Sequence, residues 1–122
     1  MRNNLALNAY NQNNVQVESP HRLIEMMYEG ILRFNTQAKK SLAEGDIEKR
    51  VHWLNRSAAI FAELMNSINH NEEGSTSEYL AGLYAFQMEK ITPANMRKDP
   101  VLIDEINVVV RGLLDAWREV KA

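Results

Sequence analysis

Glu18 and His21 stand at the spacing of a Glu-x-x-His metal motif, the strongest suggestion of inorganic chemistry in the chain. A carboxylate-bridged di-metal centre in a helical bundle needs two such motifs on facing helices, with a further carboxylate from each of the other two. Only one copy is present. Ser19 and Pro20 lie between its members as a helix cap and a first helical residue, so the pair would not share one helical face. His52 and His70 lack a Glu three residues upstream. Ser19, Ser41, Ser57, Ser67 and Ser75 have no base placed beside them by the sequence, and there is no P-loop, Gly-x-Gly-x-x-Gly or Gly-x-Ser-x-Gly. With no cysteine, thiol nucleophiles, zinc-thiolate sites and disulfides are excluded. These residues predict no enzyme, no cofactor and no metal site.

The elements that would have to position any site are helical. A chain of 122 residues, 45% hydrophobic with five Gly and three Pro, suits one domain burying roughly two thirds of its unfolded surface. A formal charge of −2 and a pI near 5.9 give no broad positive field, so neither nucleic acid nor an anionic membrane is an expected partner. Lys39-Lys40 and Lys49-Arg50 read as solvated faces. No apolar run of signal-peptide type opens the chain, and none approaches the ~18 residues of a membrane span. The expected address is the cytoplasm.

Four helices are predicted. Ser19 caps the first, which runs from Pro20 to about Glu44 with Leu23, Met27, Ile31, Phe34, Ala38 and Leu42 as its core stripe, and Gly45 stops it. Asp46 caps the second, from Ile47 to about Asn69, with Ile47, Val51, Leu54, Ala58, Phe61 and Met65 on one face. His70 to Ser77 reads as a loop and cap before a third helix carrying Tyr79, Leu80, Leu83, Tyr84, Phe86 and Ile91. Pro93 either kinks the last turn of that helix or ends it near Thr92. Asp99-Pro100 opens a fourth, with Ile103, Ile106, Val109, Val110, Leu113, Leu114 and Trp117 inward. The predicted fold is an all-α, antiparallel up-down four-helix bundle over residues 19–122. Residues 1–18 form a flexible or short-helical arm in this scheme, with Leu5, Leu7 and Tyr10 as its sizeable apolar anchors.

At ~100° per residue, Trp53, Ile60 and Leu64 widen the apolar arc of the second helix to roughly 200°, and the third helix spans a similar arc, against the ~100° a surface helix needs. One explanation is a wide core contact, with or without a dimer partner. The other is a groove for a foreign amphipathic helix.

The same residues resemble the bacterial flagellar secretion chaperone family (FliS type) from about Ala9 to Trp117. In the family's order come Ala9-Tyr10 with Val15 and Val17, Ser19-Pro20, the run Leu23-Ile24-Glu25-Met26-Met27-Tyr28-Glu29-Gly30-Ile31, Leu80-Ala81-Gly82-Leu83-Tyr84, the Ile91, Ala94, Asn95 spacing, and Ala116-Trp117. Departures are Glu29 where Asp is commoner, a single Gly74, Asn35 at a usually more apolar position, and Pro93. The resemblance implies a cytosolic chaperone that binds the disordered C-terminal segment of flagellin, stops premature polymerisation and delivers it to a flagellar export gate component. A disordered client would fold on binding and could wrap a large area. The tail around Leu7 and Tyr10 would then lie over part of the groove and move when the client arrives. The expected partner contacts are Leu7, Tyr10, Ile60, Leu64, Ile68, Leu80, Tyr84 and Met88. A self-associating adaptor bundle, its surplus apolar area forming a homodimer interface, is the alternative.

Overall fold

A computed structural model describes residues 19–68 and 75–120 as four helices: α1, Pro20–Glu44; α2, Ile47–Ser67; α3, Ser75–Met96; and α4, Pro100–Glu119. Each helix packs on two neighbours in the ring α1–α2–α3–α4, leaving α1 and α3, like α2 and α4, on the diagonals. Short turns between α1 and α2 and between α3 and α4 make those neighbours antiparallel, so the architecture is the up-down all-α bundle expected. The arm, with Leu5, Leu7 and Tyr10, lies outside the described residues, as does the segment 69–74.

Side chains expected to start α1, α2 and α4 and to stop α1 do so, whereas α3 begins at Ser75, inside the stretch expected as loop and cap. Ser19 Oγ accepts the Arg22 amide at 3.1 Å, Asp46 the Lys49 amide at 3.1 Å, and Asp99 the Val101 amide at 2.9 Å. After α1 the Gly45 amide donates to the Leu42 carbonyl and the Asp46 amide to the Ser41 carbonyl, the Schellman pattern, which Gly45 permits at φ 72°. The same pattern closes α3, with Lys98 and Asp99 donating to Asn95 and Ala94, but here the left-handed position is Lys98 at φ 51°. Left-handed backbone costs a residue with a Cβ about 1 kcal/mol or more, partly offset in glycine by its unfolded-chain entropy. Lys98→Gly is therefore expected to stabilise the bundle by about 0.5–1 kcal/mol, read as a higher urea midpoint at unchanged m. Pro93 neither ends nor stops α3, which continues to Met96 and hands its Pro93 carbonyl to the Arg97 amide at 2.9 Å.

The core is continuous through all four helices. It contains Met27, Ile31 and Ala38 of α1, Leu54, Ile60, Phe61 and Leu64 of α2, Tyr84, Ile91 and Ala94 of α3, and Ile103, Ile106, Val110 and Leu114 of α4. On α2 this corrects the expected face. Ile60 and Leu64, expected on an accessible flank, are 1% and 0% exposed, whereas Ile47, expected in the core, is 57% exposed. Val51, Ala58 and Met65 are half-buried. The inward stripe follows Arg50, Leu54, Ser57, Phe61 and Leu64, about a sixth of a turn from the expected line. On α3, Leu83 is half-buried, Tyr79 and Phe86 are exposed, and Gln87 is buried. Asn35, also fully buried, donates to Asn107 of α4 at 2.9 Å, which gives its polar side chain a partner inside the bundle.

Candidate functional site

At the end of the bundle where α1 and α3 begin and α2 and α4 finish, the four helices do not close completely. A cleft of about 220 Å³ opens there, lined by Ile24 and Tyr28 of α1, Ser67 and Ile68 at the end of α2, Ser77, Leu80 and Tyr84 of α3, and Trp117 of α4. Its walls are mainly aliphatic and aromatic. Three of its polar groups already have partners: the Tyr28 and Tyr84 hydroxyls bond to each other at 2.5 Å, and Ser67 Oγ donates to the Leu64 carbonyl at 2.7 Å. Desolvation raises the pKa of both phenols, so both are neutral at physiological pH. Such a surface attracts apolar side chains and offers no activated nucleophile or general base. Among the described residues no group of three His, Cys, Asp or Glu is placed to hold a metal ion. Glu18 of the Glu-x-x-His pair lies outside those residues, and His21 stacks on Trp117 at 4.7 Å.

Trp117 is the movable-looking wall made rigid. Its indole Nε1 donates to the His21 carbonyl at 2.8 Å, and the neighbouring Arg118 bridges Glu25 and Glu29 at 2.8 Å each, with Arg22 on the same two carboxylates at 2.8 and 3.5 Å. This clasp ties the last turn of α4 to the first three turns of α1. Hydrogen bonds from Arg118, then Arg22, hold the Glu25 carboxyl below its ordinary range. A depressed carboxylate pKa contributes stability above the unfolded value and loses it as pH falls through the folded one. The clasp is expected to release only as the pH falls below the ordinary carboxylate range, seen as faster amide exchange in the last turn of α4. Arg118→Gln should give that faster exchange already at neutral pH, and an unchanged rate would show that Trp117 alone holds the turn.

The whole chain, residues 1–122, matches the family model described as "Flagellar protein FliS". The chain belongs to the FliS family. Among its relatives is a flagellar secretion chaperone FliS of Campylobacter jejuni, 48% identical over 120 residues, covering 98% of this chain and 94% of that one. Another, the flagellar secretion chaperone FliS of Bacillus subtilis, is 30% identical over 91% of this chain and 82% of its own. In fold the bundle agrees with a solved structure, "Crystal structure of flagellar chaperone from bacteria", at a TM-score of 0.76 over 93% of this chain and 92% of that one, with 23% identity.

In this FliS-family bundle the expected contacts separate into three groups. Ile68, Leu80 and Tyr84 are brought together around the cleft. Ile60 and Leu64 are enclosed core, which corrects their placement on an open flank, and Met88 packs half-buried against the core without lining the cleft. Tyr84 is itself only 3% exposed, so it forms the cleft's floor. Leu7 and Tyr10 lie outside the described residues. Ile24, Tyr28, Ser67, Ser77 and Trp117 also line the cleft, and apolar patterning along single helices does not single them out. A shared height would have found them, because in an antiparallel bundle the starts of α1 and α3 meet the ends of α2 and α4 at one end. Surplus apolar area does remain outside, at Tyr79 and Phe86 of α3 and Val101 and Val108 of α4, exposed by 56–72%.

Proposed function

We propose that this protein is a non-enzymatic cytoplasmic export chaperone that binds the C-terminal segment of flagellin, holds it back from polymerising and delivers it to the flagellar type III export apparatus. The observation that supports this reading best is the apolar cleft to which all four helices contribute, in a chain of the flagellar secretion chaperone family. An amphipathic segment that seats apolar side chains between Ile24, Ile68, Leu80 and Trp117 removes from solvent the surface by which it would self-associate. Membership of a chaperone family and the absence, among the described residues, of any helix able to cross a membrane agree with a diffusible carrier.

Calorimetric titration with a synthetic flagellin C-terminal peptide tests it. Saturable binding with a negative heat-capacity change is expected. Leu80→Asp, at a half-buried wall position, should weaken binding roughly tenfold or more by placing a charge against the apolar segment while leaving helix content intact. No heat with the wild-type chain, or equal affinity in the variant, would remove the cleft from this role. The exposed Tyr79, Phe86, Val101 and Val108 support a second reading, a self-associating adaptor; light scattering showing a tight dimer that excludes the peptide would favour it.

A further inference from the structure

The surface seam of α1 and α2 holds a cluster that the cleft does not use. Phe34 and Trp53 stack with centroids 5.6 Å apart, and His52 meets Trp53 edge-on at 4.7 Å. Two guanidiniums cap this stack: Arg56 Cζ lies 4.6 Å from the Phe34 centroid and 5.8 Å from that of Trp53, and Arg33 Cζ lies 5.6 Å from Phe34. Arg33 is exposed and Arg56 half-buried.

Neither arginine has a carboxylate within 4 Å among the described residues, although Arg22 and Arg118 of the same bundle are each paired twice. The helical neighbours explain this. One turn from Arg33 lie Glu29, Gly30, Thr36 and Gln37, and Glu29 is already taken by Arg22 and Arg118 at 3.5 and 2.8 Å. One turn from Arg56 lie His52, Trp53, Ala59 and Ile60, none acidic. Two like charges therefore sit against one phenyl ring, their mutual repulsion offset only by cation–π attraction of about 0.5–1 kcal/mol each. A stacked guanidinium keeps its in-plane N–H donors for a planar anion, and stacking lowers the entropy lost when that anion docks.

We propose that this Arg33–Arg56 seam is a second docking site, for a protein segment that presents two carboxylates one helical turn apart beside an apolar side chain. Arg33 Cζ and Arg56 Cζ lie 5.6 and 4.6 Å from one ring centroid and are therefore no more than about 10 Å apart, within reach of two carboxylate side chains at i and i+4 whose Cβ atoms are ~5–6 Å apart. The apolar side chain packs on the half-buried edge of Trp53. Charge and size favour a protein over a nucleic acid. The chain is net negative, and a nucleic-acid binder typically neutralises about 6–10 phosphates, where this seam offers two cations.

The test is an amide-resolved NMR titration of the full chain with a short alanine-based helical peptide carrying Glu at i and i+4 and one Leu, and with its Gln counterpart. Shifts confined to residues around Arg33, Phe34, Trp53 and Arg56 are expected with the Glu peptide. The double variant R33Q/R56Q should weaken Kd roughly tenfold, the loss of a charge-assisted contact, as should the Gln peptide, whereas R97Q/R111Q, with the same change in net charge, should stay within about twofold. R33K/R56K should fall between, since it keeps the charge and loses the planar fork. Shifts scattered over all surface cations, equal weakening by both Gln double variants, or tighter binding of a short oligothymidylate at the same residues would each overturn the assignment. The wild-type shift map decides the matter even if a variant folds poorly.

Discussion

Phe61→Ala is expected to cost about 3–5 kcal/mol, the largest loss of any single truncation in this bundle. Phe61 is 0% exposed and sits at the centre of the core, its ring 6.4 Å from that of Tyr84. Removing the ring forfeits its transfer free energy and leaves a cavity in the packed core, whose walls cannot collapse far without breaking their own packing. Since domains of this size are stable by about 5–15 kcal/mol in total, the variant should unfold at much lower urea and melt well below the wild type. Leu83→Ala is the matched control. A leucine read from sequence as core would lose several kcal/mol, but this one is half-buried and outside the core cluster, so about 1 kcal/mol is expected. Equal losses at the two sites would mean that α3 is rotated relative to the orientation described here.

The rotation of α2 and α3 is where sequence patterning misleads, and the reason is the composition of their inward stripes. On α2 the buried line includes Arg50, Ser57 and Glu63, and on α3 it includes Gln87. Periodicity counts apolar side chains, so it discounts these positions and drifts toward Ile47, or toward Tyr79 and Phe86, which point outward. Arg50 is tolerated inside because its Nε donates to Asn95 at 2.8 Å, tying α2 to the end of α3. No signal in one helix announces that pairing. By contrast α4 was readable, its buried Ile103, Ile106, Val110 and Leu114 being apolar at helical spacing, and the boundaries of α1 and the start of α4 follow from Ser19, Gly45 and Asp99 alone.

The cleft was legible only in fragments. Ile68 and Leu80 stand out by their apolarity on helices two and three, while Ile24 reads as part of an apolar run and Trp117 as part of a core face. Their common location depends on helix direction and length: each is within two turns of the same end. Ile60 and Leu64 share apolarity with Ile68 but lie about two turns and one turn before it on α2, where they are enclosed, while Ile68 sits at the helix end. The residues that separate a wall from a core on α2 are therefore distinguished by height, a coordinate that an apolar arc measured around the helix does not contain.

Tyr28→Phe and Tyr84→Phe should each destabilise by about 1–3 kcal/mol, while the double variant should lose much less than the two together. The hydroxyls bond across the bundle diagonal at 2.5 Å, both on residues no more than 3% exposed. Deleting one oxygen leaves the other buried without its partner, and that unmet desolvation is the main cost. Deleting both removes the demand with the supply, so a double-mutant cycle should show a coupling of about 1–2 kcal/mol. Additive losses would mean that each hydroxyl is satisfied independently. Alkaline titration gives a second readout. Burial pushes both phenols up, Tyr84 further because the Tyr28 hydroxyl bonds to it and its charge opposes ionisation. With folded values above the unfolded value near ~10, the unfolded chain releases protons first, so the stabilisation is complete below that pH and declines as pH rises through it. Each Phe variant should flatten that decline. Because the pair forms the floor of the cleft, the double Phe variant also tests whether the floor acts by shape alone: it keeps the rings and removes the polarity, so a client that reads only the apolar walls should bind it as well as the wild type.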